Sequence, residues 1–325
     1  MNLLHAARTV AAFVLLLAAA AALAQSFPDK PIRMIVPLPP GTASDFLART
    51  LGQSLADAYR QQVVVDNRPG AGGLIGSGIV AKAAADGYTL AMVAPPHLMA
   101  PLLQAEPPYR PLQDFTAIIE VAATPNIVVV APNVPAKNVQ ELIALAKAKP
   151  GQFNYASGGY GTSAHVATEL FNLAGGIKAV HVPFKMIGDV TAELLAGRIH
   201  YLVFAAPTSL VLLRADSRLR AIAVTSARRS GAFPDLPTVA EAGLPEAQSE
   251  AWFGIVAPAG VSRTVVTKIN ADVVSILRQQ QTQEKFARQG AELVDDTTPG
   301  GFARLLKSEY ARYGNLITVG SVRPR

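Results

Sequence analysis

The sequence predicts an α/β protein of two lobes, with mixed, largely parallel sheets and helices on both faces of each. Three observations lead there. Strand-like and helix-like segments alternate along the chain with Gly and Pro between them, and this pattern restarts at Asn126. Two Gly-rich loops, Pro39-Pro40-Gly41-Thr42-Ala43-Ser44-Asp45 and Ser157-Gly158-Gly159-Tyr160-Gly161-Thr162-Ser163, each follow a strand and open a helix. Such a loop aims unpaired backbone N–H groups and the positive end of a helix dipole at one point, which suits an anion. Two of them, far apart in sequence, suggest two lobes closing on one small ligand.

Pro31 to Pro37 reads as a short apolar strand, followed by a helix from Asp45 to Ala58 with Phe46, Leu47, Leu51 and Leu55 on one face. Gln62 to Asp66 is the second strand, Pro69 to Gly73 a turn, Leu74 to Ala85 a helix and Tyr88 to Val93 the third strand. The glycines of that turn are explained better by a tight, positive-φ connection than by a third ligand loop. After the restart come a strand over Ile127 to Ala131, a helix from Val139 to Lys149, a strand over Phe153 to Ala156 and a helix from Ser163 to Leu173. Ala179 to Val182, Tyr201 to Phe204 and Leu219 to Thr225 are further strands, with a short helix from Val190 to Ala196 between the first two. Past Pro237 the chain carries a strand at Trp252 to Ala257 and helices over Val265 to Gln279 and Pro299 to Tyr313. These pieces are too few for a third domain. The economical arrangement returns them to the first lobe, giving residues 25–125 with 250–325 as one lobe, residues 126–249 as the other, and two crossings that form a hinge.

The N-terminus indicates export. Arg8 precedes an apolar run from Val10 to Leu23, and Ala22-Leu23-Ala24 is a small-x-small cleavage site, so residues 1–24 read as a signal peptide and the mature chain begins near Gln25. No cysteine follows to carry a lipid, so no membrane anchor is expected. With no cysteine anywhere in 325 residues, disulfides and thiolate metal sites are excluded. The mature chain keeps 28 basic and 23 acidic residues, thinly spread. No run of Lys or Arg has the density of a nucleic-acid arm, so nucleic acid is not an expected partner.

A search for catalytic chemistry is unproductive. The histidines are His5, His97, His165, His181 and His200, with no HExxH and no carboxylates spaced around a His pair. His165 and Glu169 stand one helical turn apart, a spacing read as a surface contact. Ser163 lacks the second Gly of a nucleophile elbow. Gly159-Tyr160-Gly161-Thr162-Ser163-Ala164 matches GxGxxA, but the following strand ends Val182-Pro183-Phe184-Lys185 without the acid that would hold a ribose, so no nucleotide or other cofactor is expected. Asp45 is either a helix-start residue or an orienter of the ligand loop, and Lys185 either meets ligand charge or sits on the rim. Trp252, the only tryptophan, reads as core or hinge packing.

Several long segments resemble a known family. Phe27–Arg33 (FPDKPIR), Val65–Gly73 (VDNRPGAGG), Asp86–Leu90 (DGYTL), Glu141–Ile143 (ELI), Asn154–Gly158 (NYASG), His181–Pro183 (HVP), Leu236–Gly243 (LPTVAEAG) and Ala257–Gly260 (APAG) are similar to the periplasmic solute receptors of tripartite tricarboxylate transporters, often called the Bug family. The resemblance runs over the whole mature chain. It implies a Venus-flytrap fold of the periplasmic-binding-protein type, no enzymatic activity, capture of a small organic carboxylate between the lobes, and delivery to membrane transporter subunits by a monomeric receptor. It also places the ligand against Pro39, Gly41, Thr42, Ala43, Ser44 and Asp45 of the first loop, and against Ser157, Gly158, Gly159, Tyr160, Gly161, Thr162, Ser163 and His165 of the second. Pro183, Phe184, Lys185 and Ala205 complete the set.

The chain departs from the family pattern at the crevice. Thr42 and Ala43 stand where two glycines are usual, Phe184 where Tyr is usual, Ala205 where an acid is often found, and Ala100-Pro101 in place of Asn-Pro. With fewer polar groups for the distal end of a ligand, a monocarboxylate with an apolar or aromatic body is expected. An exported hydrolase using Ser163 and a solute-binding sensor domain are the competing readings.

Overall fold

The computed structural model describes residues 27–184 and 186–318, so the signal segment at 1–24 and Lys185 lie outside the described residues. Strands β1 (Ile32–Val36), β2 (Val63–Asn67) and β3 (Thr89–Val93) alternate with helices α1 (Ala43–Tyr59) and α2 (Leu74–Ala81), as their apolar periodicities predict. Helix α3 (Pro96–Leu102) then leads to a long strand, β4 (Phe115–Val130). The second run comprises α4 (Val139–Ala148), β5 (Phe153–Ser157), α5 (Ser163–Gly175), β6 (Ala179–Pro183), α6 (Ile187–Leu195), β7 (Tyr201–Ala205), α7 (Ala206–Ala215) and β8 (Arg220–Val224). Strand β9 (Glu250–Pro258) and helices α8 (Arg263–Leu277), α9 (Gln280–Arg288) and α10 (Pro299–Thr318) follow.

Among the described residues the strands run in the order β2-β1-β3-β9-β4-β7-β5-β6, with β8 on β4. Parallel pairs join β1 to β2 and β3, and β5 to β6 and β7. The pairings of β4 and β9 are antiparallel. The sheet is therefore mixed, as expected, with its parallel parts at the two ends and the antiparallel part between them. That middle was not foreseen, because residues 115–125, the partner of β9, are not among the segments that read as strands in the sequence.

Strand β4 changes partners midway. Phe115 to Pro125 lies against Pro258 to Glu250 of β9, whereas Asn126 to Val130 lies between Ala205–Tyr201 of β7 and Val224–Arg220 of β8. The buried apolar side chains divide at the same place. One cluster draws only on residues between Ile127 and Ala247. Two others cover opposite faces of the sheet formed by β2, β1, β3, β9 and the first part of β4. The result is a two-lobed α/β fold with a shared, continuous sheet.

The two crossings are tied together. Asn126 Nδ2 donates to Ser249 O at 3.1 Å, Thr225 N donates to Asn126 O at 2.9 Å, and Ser249 N donates to Thr225 O at 3.0 Å. Trp252, just past the second crossing, is 2 % exposed and meets the Phe302 ring edge-on, the packing role expected of it.

Candidate functional site

The C-terminal ends of β1, β5, β6 and β7 carry every candidate site residue in the described part of the chain, which is where open α/β sheets place ligands. The two Gly-rich loops share one capping geometry. Gly41 and Gly161 take left-handed φ of +80° and +75°, which only glycine adopts without strain. Thr42 and Thr162 follow as extended N-caps, at φ −76°, ψ 163° and φ −70°, ψ 158°.

The threonine hydroxyls are used inside the loops. Thr42 Oγ1 donates to Pro39 O at 2.9 Å and accepts from Asp45 N at 3.4 Å. Thr162 Oγ1 donates to Gly159 O at 2.8 Å and accepts from His165 N at 3.4 Å. Each loop is closed by the side chain four residues after the glycine, Gly41 N donating to Asp45 Oδ2 at 2.9 Å and Gly161 N to His165 Nδ1 at 3.0 Å. The next N–H groups, of Ala43 and Ser44 in one loop and Ser163 and Ala164 in the other, have no acceptor a turn earlier in their helices. Ala43, Ser163 and Ala164 are half-buried and leave these donors near the surface of their loops, whereas Ser44 is fully buried.

The loops differ in electrostatics. Burial opposes ionisation of Asp45, but hydrogen bonds from Arg49 and the Gly41 N–H outweigh it and hold the carboxyl below its usual range. Arg49 Nε lies 3.0 Å from Asp45 Oδ1, and its guanidinium also donates to Asn67 Oδ1, whose amide in turn donates to Leu38 O. Asn67 of the VDNRPG segment thus braces the first loop. In the second loop burial, with His181 alongside, pushes His165 down to about 3, so the ring is neutral and its Nδ1 is free to accept.

Beneath the second loop His165 and His181 stack with ring centroids 4.2 Å apart, Tyr155 stacks on His181 at 5.0 Å, and Tyr160 lies edge-on to both histidines. His181 Nε2 is 2.6 Å from Ser157 Oγ, which also accepts from Gly159 N at 3.0 Å. The expectation of a surface contact between His165 and Glu169 is corrected here. His165 is 2 % exposed, and Glu169 turns away to accept from the Tyr155 hydroxyl and from Asn172 Nδ2. Burial raises the Glu169 pKa. Helical spacing alone could not reveal this, because the partner, Tyr155, comes from β5.

Of the remaining candidates, Pro39 and Gly41 are exposed, and Thr42, Ala43, Thr162 and Ser163 are half-buried. Gly158 and Tyr160 are exposed and Gly159 half-buried. Ser44 is fully buried and its hydroxyl makes no hydrogen bond within the described residues. Ser157 is fully buried too and serves the loop. Phe184, after exposed Pro183, donates its N–H to Ser157 O at 2.9 Å, which seats it beside the second loop. Ala205 lies opposite Asn126 on the neighbouring strand and packs against the first-lobe cluster that Leu38, Ala43 and Phe46 also join. Ala100 is 5 % exposed within α3, so its departure from Asn is absorbed by packing. Sequence reasoning missed His181, Tyr155, and the side chains of Met99 on α3 and Leu103 just past its end, which approach Gly161 from the other lobe.

A cavity of about 180 Å³ beside the crossings is lined by Glu120, Glu250, Glu309, Arg312 and Trp252. Burial, with Glu250 and other acids nearby, pushes Glu120 up to about 7. Among the described residues no three His, Cys, Asp or Glu side chains could hold a metal ion, and no helix is long and apolar enough to cross a membrane.

Two α/β lobes joined by paired crossings, with a matching Gly-Thr loop at a strand end of each, have the architecture of a solute receptor. The sequence profile of the Tripartite tricarboxylate transporter family receptor matches residues 47–321, and the chain belongs to that family. It is 37 % identical to Protein BugT of Bordetella pertussis over 296 residues, 90 % of each chain. Among solved structures, R. palustris Rpa4515 with adipate superposes with a TM-score of 0.81 at 32 % identity, covering 92 % of this chain and all of that one. MatC from Rhodopseudomonas palustris with bound malate gives 0.78 at 28 % identity, over 90 % of this chain and 100 % of its own. The family is one of transporter receptors, so the chain is a solute-binding receptor and not an enzyme.

Proposed function

We propose that the protein is an exported receptor that captures a small organic carboxylate between its lobes and hands it to the membrane subunits of a tripartite transporter. The observation that carries this reading is the duplicated Gly-Thr loop, which offers backbone donors from both lobes. Hydrogen bonds to a charged group contribute roughly 1.5–3 kcal/mol each, and micromolar affinity needs about 8 kcal/mol. Four such bonds give about 6–12 kcal/mol, which brackets that figure without an arginine clamp before the costs of association are taken off. The lobes are residues 25–125 with 250–325, and 126–249, pivoting where Asn126 and Ser249 meet. Residues 1–24 direct export and are cleaved, leaving a monomer in the periplasm.

The ligand contacts in this reading are the Pro39–Asp45 and Ser157–Ser163 loops, with Phe184, Lys185 and Ala205 around the ligand body. Phe184 and Ala205 present no charge to a distal group, which favours a monocarboxylate with an apolar body, whereas the neighbours named above were solved with adipate and malate. A buried second charge without a partner is costly. A thermal-shift and calorimetric panel of benzoate, adipate, malate, citrate and aspartate tests this, since a ligand of the native state raises its stability by mass action. Tight benzoate binding is expected. Binding of citrate or malate with no response to benzoate would overturn the ligand class, and no response to any carboxylate would overturn the function.

A further inference from the structure

We infer that Val166 and Leu170 on α5 are positioning residues that set ligand affinity without touching ligand, by holding the second-lobe loop against the first lobe. The inference rests on the reading of a ligand taken between the lobes. Helix α5 has two apolar faces. Ala167 and Phe171, four residues apart, join the core of their own lobe, whereas Val166 and Leu170, also four apart, join the first-lobe cluster of α3, α10 and the sheet. Their 3 % and 6 % exposures therefore depend on the lobes being together. Pro95, Glu309 and Tyr313 lie beside them across the seam.

The seam and the ligand loop are mechanically one piece. Helix α5 begins at Ser163, immediately after the Thr162 cap. A Cβ on Gly161 would lie 2.9 Å from Leu103 Cδ1 and 3.5 Å from Met99 Cγ, so the loop itself rests on α3 of the other lobe. Nearer the crossings, Arg312 on α10 donates to Gln248 O and to Glu246 O, the latter at 3.2 Å. Behind them, Ser230 Oγ donates to Glu292 Oε1 at 2.6 Å. All of these contacts are made by the protein's own side chains. The closed arrangement thus has a population of its own, and apparent affinity is the intrinsic affinity scaled by that population. Weakening the seam lowers affinity for every ligand by one common factor. A residue that touches ligand alters different ligands unequally.

The test compares mature wild-type protein with Leu170→Ser, Val166→Thr and the conservative Leu170→Met. Solution scattering of each ligand-free protein is combined with dissociation constants and dissociation rates for benzoate, adipate and malate. Leu170→Ser is expected to enlarge the ligand-free radius of gyration and to raise every measurable dissociation constant by a common factor of about 5–30, mostly through faster dissociation. Leu170→Met should match wild type. Val166→Thr, nearly isosteric, should act in the same direction more weakly and carries the test if Leu170→Ser does not fold. Unchanged dimensions in Leu170→Ser and Val166→Thr, or factors that differ several-fold between ligands, would overturn the inference. If wild type bound none of the three acids, the ligand reading would fall, while the scattering comparison would still decide whether the seam holds the lobes together.

Discussion

Asp45 and His165 occupy the same place in two different lobes: each accepts the N–H of a left-handed glycine four residues earlier, at 2.9 Å and 3.0 Å. One does so as an ionised carboxylate and the other as a neutral imidazole. The shared geometry pins both loops, and the different chemistry makes their pH responses differ.

Because the Thr162 hydroxyl is engaged with Gly159 O and His165 N, its role is to cap α5 and shape the loop. Thr162→Val should lower stability by about 1 kcal/mol, and Thr162→Ser by only a few tenths. Ligand affinity should fall in proportion. Urea unfolding with calorimetry decides this, and a large loss of affinity at unchanged stability would instead make the hydroxyl a ligand contact.

His165 and His97 are both buried, which holds each near 3 in the fold against 6.5 ordinarily. Between those values the unfolded chain binds the extra protons, so the stability they confer is complete above about pH 6.5 and falls as pH drops, by up to about 1.4 kcal/mol per unit for each ring. His165→Asn, whose amide oxygen can still accept from Gly161, should flatten the unfolding free energy between pH 6.5 and 4. Parallel profiles for the variant and wild type would contradict the assignment.

The clasp at the crossings predicts a hinge that is firm along the sheet. Asn126→Ala removes the donor to Ser249 O and should cost about 1–3 kcal/mol in denaturant unfolding. A variant as stable as wild type would mean that the crossings are held by the strand ladders alone.

Gly41 and Gly161 share a backbone conformation but not surroundings, since a Cβ on Gly41 meets nothing within 4 Å and one on Gly161 meets Leu103 at 2.9 Å. Gly161→Ala should therefore cost more than Gly41→Ala, and Leu103→Ala should recover part of the difference. Equal costs without coupling would show that the loop and α3 are not in contact in solution.

Much of the fold is legible in the sequence for simple reasons. The α1 stripe of Leu47, Leu51 and Leu55 and the β-branched run of β2 announce themselves by period. What was not legible was set by tertiary contact. Helix α3 carries an internal Pro101, α9 is mostly polar, and α7 follows β7 without a gap, so none offers a clean periodic signal. The glycine turn and threonine cap of each loop were readable from Gly, Thr and helix position. The inward turn of the Thr42 and Thr162 hydroxyls depends on the carbonyls of Pro39 and Gly159, which only the folded loop brings into reach.

The central claim, that both loops grip one carboxylate through backbone amides, is tested most directly by amide-resolved NMR of the mature protein titrated with benzoate and adipate. The account predicts that the N–H signals of Ala43 in one lobe and of Ser163 and Ala164 in the other shift together, with one dissociation constant per ligand. Saturable binding that leaves the amides of either loop unmoved would contradict it.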